Sequence, residues 1–559
     1  MKLPPLTPIL SRPLRPLITP ISPLLLLLVI LGCALALSGC GGRRNLSVAE
    51  ANQTRTLLVG NLAEPNDLDP HIADSHQTFQ IIMALFEGLA QYDPVTCEPR
   101  PAVATRWEVS DDGLTWTFYL RPDARWSNGD PLTAHDFVFA YRRMLSPGLA
   151  AEYASMLYAL KNGEAFNTGK ITTPGHIGAR ADDDHTLVLA LEHPVPYLPA
   201  MVCHSAWYPV HPPTLNRFGP PDQRGTPWTR PGNLVGNGYF TLAEWTPHQR
   251  IRCVKSATYW DRENVLLNEV VFFPIENEDA EERAFRTGQL HVTDTLPLSK
   301  IAVYKNDPRG VYQPSPMLAT YFYRFNVHTP PLDDARVRRA LTLAIDRERL
   351  VRLVARGGQL PATGLTPPGL PGFAPAAARP ATDIAQAQQL LAAAGFPGGA
   401  GFPRLEILYN TNQGHRRIAE AISEMWRRDL GIDIGLYNQE SKVWTETMRR
   451  RDYQIARSGW VGDYLDPSAF LDIMASDNGN NQTGWANAEY DRLLTLARSE
   501  PDPAKRLACY QRCEAILAAE APLAPIYFYV RNRLLRPEVK GWTENLLGLH
   551  PLKGVSIAP

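Results

Sequence analysis

Short apolar runs and strict alternation, rather than long helical stripes, set the pattern of this chain. Residues 57–62 read L-L-V-G-N-L, a run of strand length with no helical period. A loop E-P-N-D-L-D-P-H follows, and Phe79, Ile82, Leu85 and Phe86 then recur at helical spacing, predicting a helix over 77–89. Across 107–126 a D-D-G turn is followed by Leu114, Trp116, Phe118 and Leu120 in alternation, which predicts a β-hairpin. Thr133 opens a helix with Asp136 in its first turn, and Y-F-T-L-A-E-W then I-R-C-V predict a second hairpin over 238–259. Residues 170–235 are Pro-rich and strand-like, and 361–380, crowded with Pro, Gly and Ala, predict a long surface loop. Helices are predicted over 333–356, 384–394, 416–430, 490–499 and 503–520, and strands over 405–409, 432–437 and 525–530. The sum is mixed α/β, too irregular for one doubly wound sheet, and implies several α/β lobes. No internal repeat and no sustained heptad interrupts it.

Composition narrows the class. The 559 residues exceed what one core holds, so two or three domains are expected. The chain is 44% hydrophobic and 20% charged with net charge −1, which leaves no basic surplus for nucleic acid. Its 50 prolines favour long connections over helical bundles. Lys2, Arg12 and Arg15 precede L-L-L-L-L-V-I-L at 24–31, as in a targeting segment. Leu37-Ser38-Gly39-Cys40 then resembles a bacterial lipobox, which implies a leader over 1–39, lipidation of Cys40 and a polar tether over 40–55; the alternative is an uncleaved signal anchor. Of seven cysteines, Cys97, Cys203, Cys253, Cys509 and Cys513 remain in the mature chain. An odd count without C-x-x-C argues against a disulfide framework or a zinc knuckle, so neither metal nor cofactor is expected.

Enzyme signatures are missing: there is no G-x-S-x-G and no H-E-x-x-H, and Gly163 to Gly169-Lys170 misses the phosphate-loop spacing by one. His71, His76 and His135 read as groups satisfying local backbone, and Asp333-Asp334 as a helix start. One stretch stands out. Q-I-A-R-S-G-W-V-G-D-Y-L-D-P, over 454–467, begins as a strand and then gathers Arg457, Gly459, Trp460 and Asp463. Such a set is either an ordinary turn or a pocket for a molecule with a positive and a negative end.

Eight stretches in order carry a resemblance: L-D-P-H (68–71), L-F-E-G-L (85–89), W-T-F-Y-L-R-P-D-A-R-W-S-N-G (116–129), T-A-H-D-F-V (133–138), Y-W-D (259–261), D-D-A-R-V-R-R-A-L-T-L-A-I-D-R (333–347), L-L-A-A-A-G-F (390–396) and A-R-S-G-W-V-G-D-Y (456–464). The chain resembles the oligopeptide-binding proteins of ABC importers, family 5 of the extracytoplasmic solute-binding proteins. The resemblance implies a two-lobed periplasmic binding protein of type II with an extra third domain, closing on a hinge around its ligand. Domain I would combine 43–86, 213–317 and 530–559, domain II would be 87–212, and domain III 318–529. Asp463 matches the family aspartate that takes the peptide amine. Gly459 would let ligand backbone approach, Trp460 supply a flat wall and Arg457 donate toward a carboxylate. Asp74, Tyr153, His415, Asn480 and Tyr529 fall at family contact positions, Asp74 replacing a glutamate. Expected partners are an oligopeptide, permease and ATPase subunits and a membrane reached through the lipid; the protein is expected to be monomeric and not an enzyme. A receptor for cell-wall peptides or another amine-bearing solute is the alternative, and a periplasmic peptidase or folding helper a more distant one.

The chain also departs from the family. A disulfide of the best-known members is replaced by Ala319 and Val461, Ser441 stands where a ligand-covering tryptophan is found, and Met448 stands for an arginine. The resemblance implies a pocket enlarged and neutralised on that side.

Overall fold

The computed structural model describes residues 46–73, 75–374 and 382–558, the side chains of 441 and 442 apart. Cys40, the apolar run at 24–31 and Asp74 lie outside the described residues. Residues 48–54, expected to be tether, instead form a helix, Val48–Thr54. A capping box of Ser47 and Glu50 starts it, and Val48 and Ala51 are buried.

Strands are numbered along the chain. In a first sheet β1 (Thr56–Gly60) runs parallel to β10 (Glu269–Phe273), followed by antiparallel β9 (Arg250–Lys255) and β8 (Phe240–Thr246). All five residues of β1 are buried, in keeping with the unbroken apolar run Leu57, Leu58 and Val59. A second sheet has the order β4 (Ala104–Val109), β5 (Thr115–Leu120), β7 (Thr186–Ala190), β6 (Ala179–Asp183). In β5 every second residue is buried, as the alternation requires. The third sheet has six strands: β12 (Leu360–Pro361), β16 (Leu523–Leu534), β11 (Tyr312–Phe325), β15 (Ile455–Val461), β13 (Leu405–Asn410) and β14 (Ile434–Gln439). Two small ribbons, β2 (Ala90–Tyr92) with β3 (Pro99–Pro101) and β17 (Val539–Lys540) with β18 (Ser556–Ile557), complete the set.

Two features position the site. First, β11 and β16 pair over nearly their whole length, but the register slips between Pro316 and Thr320. Past that slip, Val292 bridges both Val59 of β1 and Leu535, tying the long strands to the first sheet. Second, β15 pairs with β11 along its whole length, from Phe325↔Ile455 to Ala319↔Val461, but with β13 only at Ile455 and Ala456. From Arg457 onward one side of β15 has no ladder partner among the described residues. Ala319 and Val461 are direct neighbours across the β11–β15 ladder.

Several of the motifs quoted above hold the fold together. The Asp69 carboxylate accepts from buried Arg143 at 2.5 Å. The Glu87 carboxylate accepts from Tyr259 Oη at 2.5 Å and from Trp260 Nε1 at 2.7 Å, joining two of the motifs. Asp136 accepts from the Thr133 backbone N–H at 2.9 Å and from Trp126 Nε1 at 3.3 Å.

Two expectations are corrected. The helix expected over 333–356 is broken into Ala335–Leu343, Arg347–Leu350 and one π turn, Val351–Ala355. Asp346 causes the break: its side chain accepts from Arg349 N–H and starts a new helix. The strand-like stretch of 170–235 yields only β6 and β7, and then short helices Leu198–Met201 and Pro212–Phe218 with Pro in their first turn. The five cysteines are free, and Cys97, Cys203, Cys253 and Cys513 are buried.

Candidate ligand-binding site

The end of β15 opens into a cavity of about 580 Å³. Gly459, Trp460, Asp463, Asn480 and Tyr153, all read from the sequence as site residues, line it together. The loop carrying Asp463 follows the last paired residue of β15, and Gly462 N–H bonds to Leu318 O at 2.8 Å to turn the chain. Asp463 is half-buried and has no hydrogen-bond or ion-pair partner among the described residues; desolvation pushes its carboxyl up to about 6. Trp460 is fixed by its indole N–H, which donates to Ala469 O at 2.6 Å. Asn480 is exposed, and its backbone N–H is held by Asn478 Oδ1 at 2.8 Å.

A second group sits beside the cavity rather than in its lining. Arg457 Nη1 donates to Asn410 Oδ1 at 3.2 Å and Nη2 to Tyr529 Oη at 3.1 Å. Its guanidinium lies 5.0 Å from the Tyr321 ring centre, over that face. Tyr321 in turn stacks on Tyr527 with centroids 4.6 Å apart. His415 Nδ1 lies 3.4 Å from Tyr321 Oη; burial and then the Arg457 charge push its pKa down to about 3, so the ring is neutral. Gly459 joins the two groups: a Cβ there would meet Tyr529 Oη at 3.3 Å, Thr320 O at 3.4 Å and Arg457 Nη2 at 3.7 Å.

Several lining residues had no local signal in the sequence. His76, Phe79 and His204 come from two helical starts far apart in the chain, and Leu547 and Leu549 from the C-terminal stretch. His76, expected to satisfy local backbone, instead contacts Gly548 O at 3.0 Å and Arg531 Nη1 at 3.0 Å. His71 likewise reaches a distant group, Tyr208 O at 3.0 Å. Met448 does not line the cavity. It is 1% exposed and packs with Leu408, Tyr453 and Ala456, because the helix Ser441–Arg450 lays its apolar side on that face of the sheet. Among the described residues no group of three or more His, Cys, Asp or Glu is placed to hold a metal.

The cavity draws its lining from stretches far apart in the chain, carried on a mixed α/β scaffold, with the Arg457 group beside it. The chain belongs to the bacterial extracellular solute-binding proteins, family 5, whose middle-region model matches residues 98–482. It is 37% identical over 492 residues to the periplasmic murein peptide-binding protein MppA of Escherichia coli K12, covering 86% of this chain and 89% of that one. It is 34% identical to the periplasmic oligopeptide-binding protein OppA of the same organism over 502 residues, 88% and 90% of the two chains. The solved structure of Haemophilus influenzae OppA in complex with the peptide RPPGFSPFR is similar to it, with a TM-score of 0.76, 32% identity and coverage of 91% and 99%.

Proposed function

We propose that the protein is the extracytoplasmic receptor of an ABC importer, capturing oligopeptides in an extended form and delivering them to permease and ATPase subunits. The observation that carries this reading is Asp463: a carboxylate lifted to about 6 by desolvation, without a partner among the described residues, in a cavity of about 580 Å³. A buried charge needs a counter-charge, and a peptide ammonium supplies one. The free side of β15 supports the extended form, since a ligand strand there would pair with main chain regardless of its own side chains. Arg457, steered by Tyr529 and Asn410 and flanked by neutral His415, would receive a carboxylate. Tyr153 and Asn480 would contact the ligand from the facing walls, and Asp74 belongs to the same proposal.

In the three-part division read from the sequence, 43–86 with 213–317 and 530–559, 87–212, and 318–529, the two crossings between the first and third parts, 317/318 and 529/530, fall at the β11–β16 register slip. That slip would be the hinge. The protein would act as a monomer without catalysis, held to a membrane by lipid on Cys40. A murein peptide is the second reading, favoured by the 37% identity to a murein peptide-binding protein.

Native mass spectrometry of the protein lacking residues 1–40, purified without denaturation, tests the proposal. Added masses that sequence as short peptides support it, and masses of cell-wall peptides would support the second reading. A bare mass, with no thermal shift on adding a mixed peptide library, would overturn both.

A further inference from the structure

Among the described residues Asp463 has no side-chain hydrogen bond or ion pair that could aim its carboxylate, so its position is set by the loop around it. That loop is held at one point by a residue from a distant part of the chain. Tyr464, the next residue, stacks on Tyr197 with centroids 5.4 Å apart and planes 7° from parallel. The Arg506 guanidinium lies 5.6 Å from the Tyr197 ring centre. Arg506 also pairs with Asp466 at 2.5 Å, and Asp466 caps the turn by accepting from Ser468 N–H at 3.0 Å. Tyr464 Oη and Ser468 Oγ share a hydrogen bond of 3.1 Å. Tyr197 and Arg506, neighbours of each other, therefore both pack on this loop, Tyr197 through Tyr464 and Arg506 through Asp466. It opens the helix Leu198–Met201, and a few residues further on His204 lines the cavity.

We propose that Tyr197 is a positioning residue for Asp463, fixing the ammonium-accepting loop through the stack on Tyr464. The stretch 87–212 then sets affinity as well as shape. This rests on the reading of Asp463 as an ammonium acceptor.

The test uses Tyr197→Phe, which keeps the stack, and Tyr197→Ala, which removes it, each alone and with Asp463→Asn. The probe is a pool of random tripeptides and tetrapeptides, free or N-acetylated, titrated by tryptophan fluorescence, with Tm measured alongside. Tyr197→Ala is expected to weaken free-amine binding about tenfold, as for contacting residues that couple, and Tyr197→Phe by less than about twofold. In the Asp463→Asn background Tyr197→Ala is expected to change nothing further, and acetylated peptides to bind the single variants and the wild type alike. A merely structural role would lower Tm and weaken free and acetylated peptides equally, which would overturn the inference. Unchanged free-amine affinity in Tyr197→Ala would overturn it too, while leaving the peptide reading intact. A wild type that binds neither pool would sink both.

Discussion

The two charges that flank Gly459 are treated in opposite ways. Arg457 is already answered in large part: Nη1 donates to Asn410, Nη2 to Tyr529, and the guanidinium lies over the Tyr321 face, while Nε alone has no partner among the described residues. Asp463, six residues on, has only desolvation acting on it. The difference teaches where selectivity lies. A cation wrapped in tyrosines can wait for a carboxylate or do without one. A carboxylate lacking a partner gains most from a ligand that brings a positive charge, so the amine end is the strict one and the carboxylate end the tolerant one.

The largest way to break this comparison is Asp463→Asn, expected to weaken free-amine peptides by about 2–4 kcal/mol by calorimetry. Equal affinity of the wild type for free and N-acetylated peptides would end the assigned role. Next, Arg457→Met is expected to cost about 1.5–3 kcal/mol for peptides ending in a carboxylate and much less for their C-terminal amides. If amides lose as much, Arg457 serves only its tyrosines.

The pH dependence separates the two charges further. In the ligand-free protein Asp463, with its pKa raised to about 6, adds stability that is full below the ordinary carboxylate range and is lost as pH rises through about 6. A bound ammonium favours the ionised form and reverses the sign for binding. Affinity is therefore expected to be full above about pH 6 and to drop by up to about tenfold per unit below it. Asp463→Asn should flatten that profile, and Arg457→Met should leave it in place. The smallest expected effect is Gly459→Ala, about 1 kcal/mol, because its Cβ would crowd Tyr529 Oη and narrow the free side of β15. A loss equal to that of Asp463→Asn would mean the ligand lies closer to β15 than to either charge.

What the sequence made legible follows from how far each signal reaches. The hairpin of β4 and β5 and the unit β13–helix–β14 are written in local periodicity and turn residues, and both form as expected. The site stretch was legible through Gly459, Trp460 and Asp463, which the end of β15 and the loop after it bring to one cavity, with Arg457 on the same strand beside it. Tyr529 beside Arg457 was legible too, but Tyr321 and Tyr527 were not, because they meet Arg457 only when β11 and β16 pair. His76 and His204 were hidden for the same reason, their partners being hundreds of residues or several elements away. The 333–356 helix failed for a local cause: the apolar period continues through Asp346 while its side chain starts a new turn.

The unpaired side of β15 has a consequence for handling the protein in a tube. A row of free main-chain donors and acceptors is the same template that seeds association between copies, and proteins usually blunt it with charge or cover. Here Arg457 is the one charged side chain in that row, and Val461 at its end is exposed. A ligand strand would serve as the cover. Stripping the protein of bound material is therefore the step at which a clear solution is expected to turn turbid, and returning peptide the step that clears it.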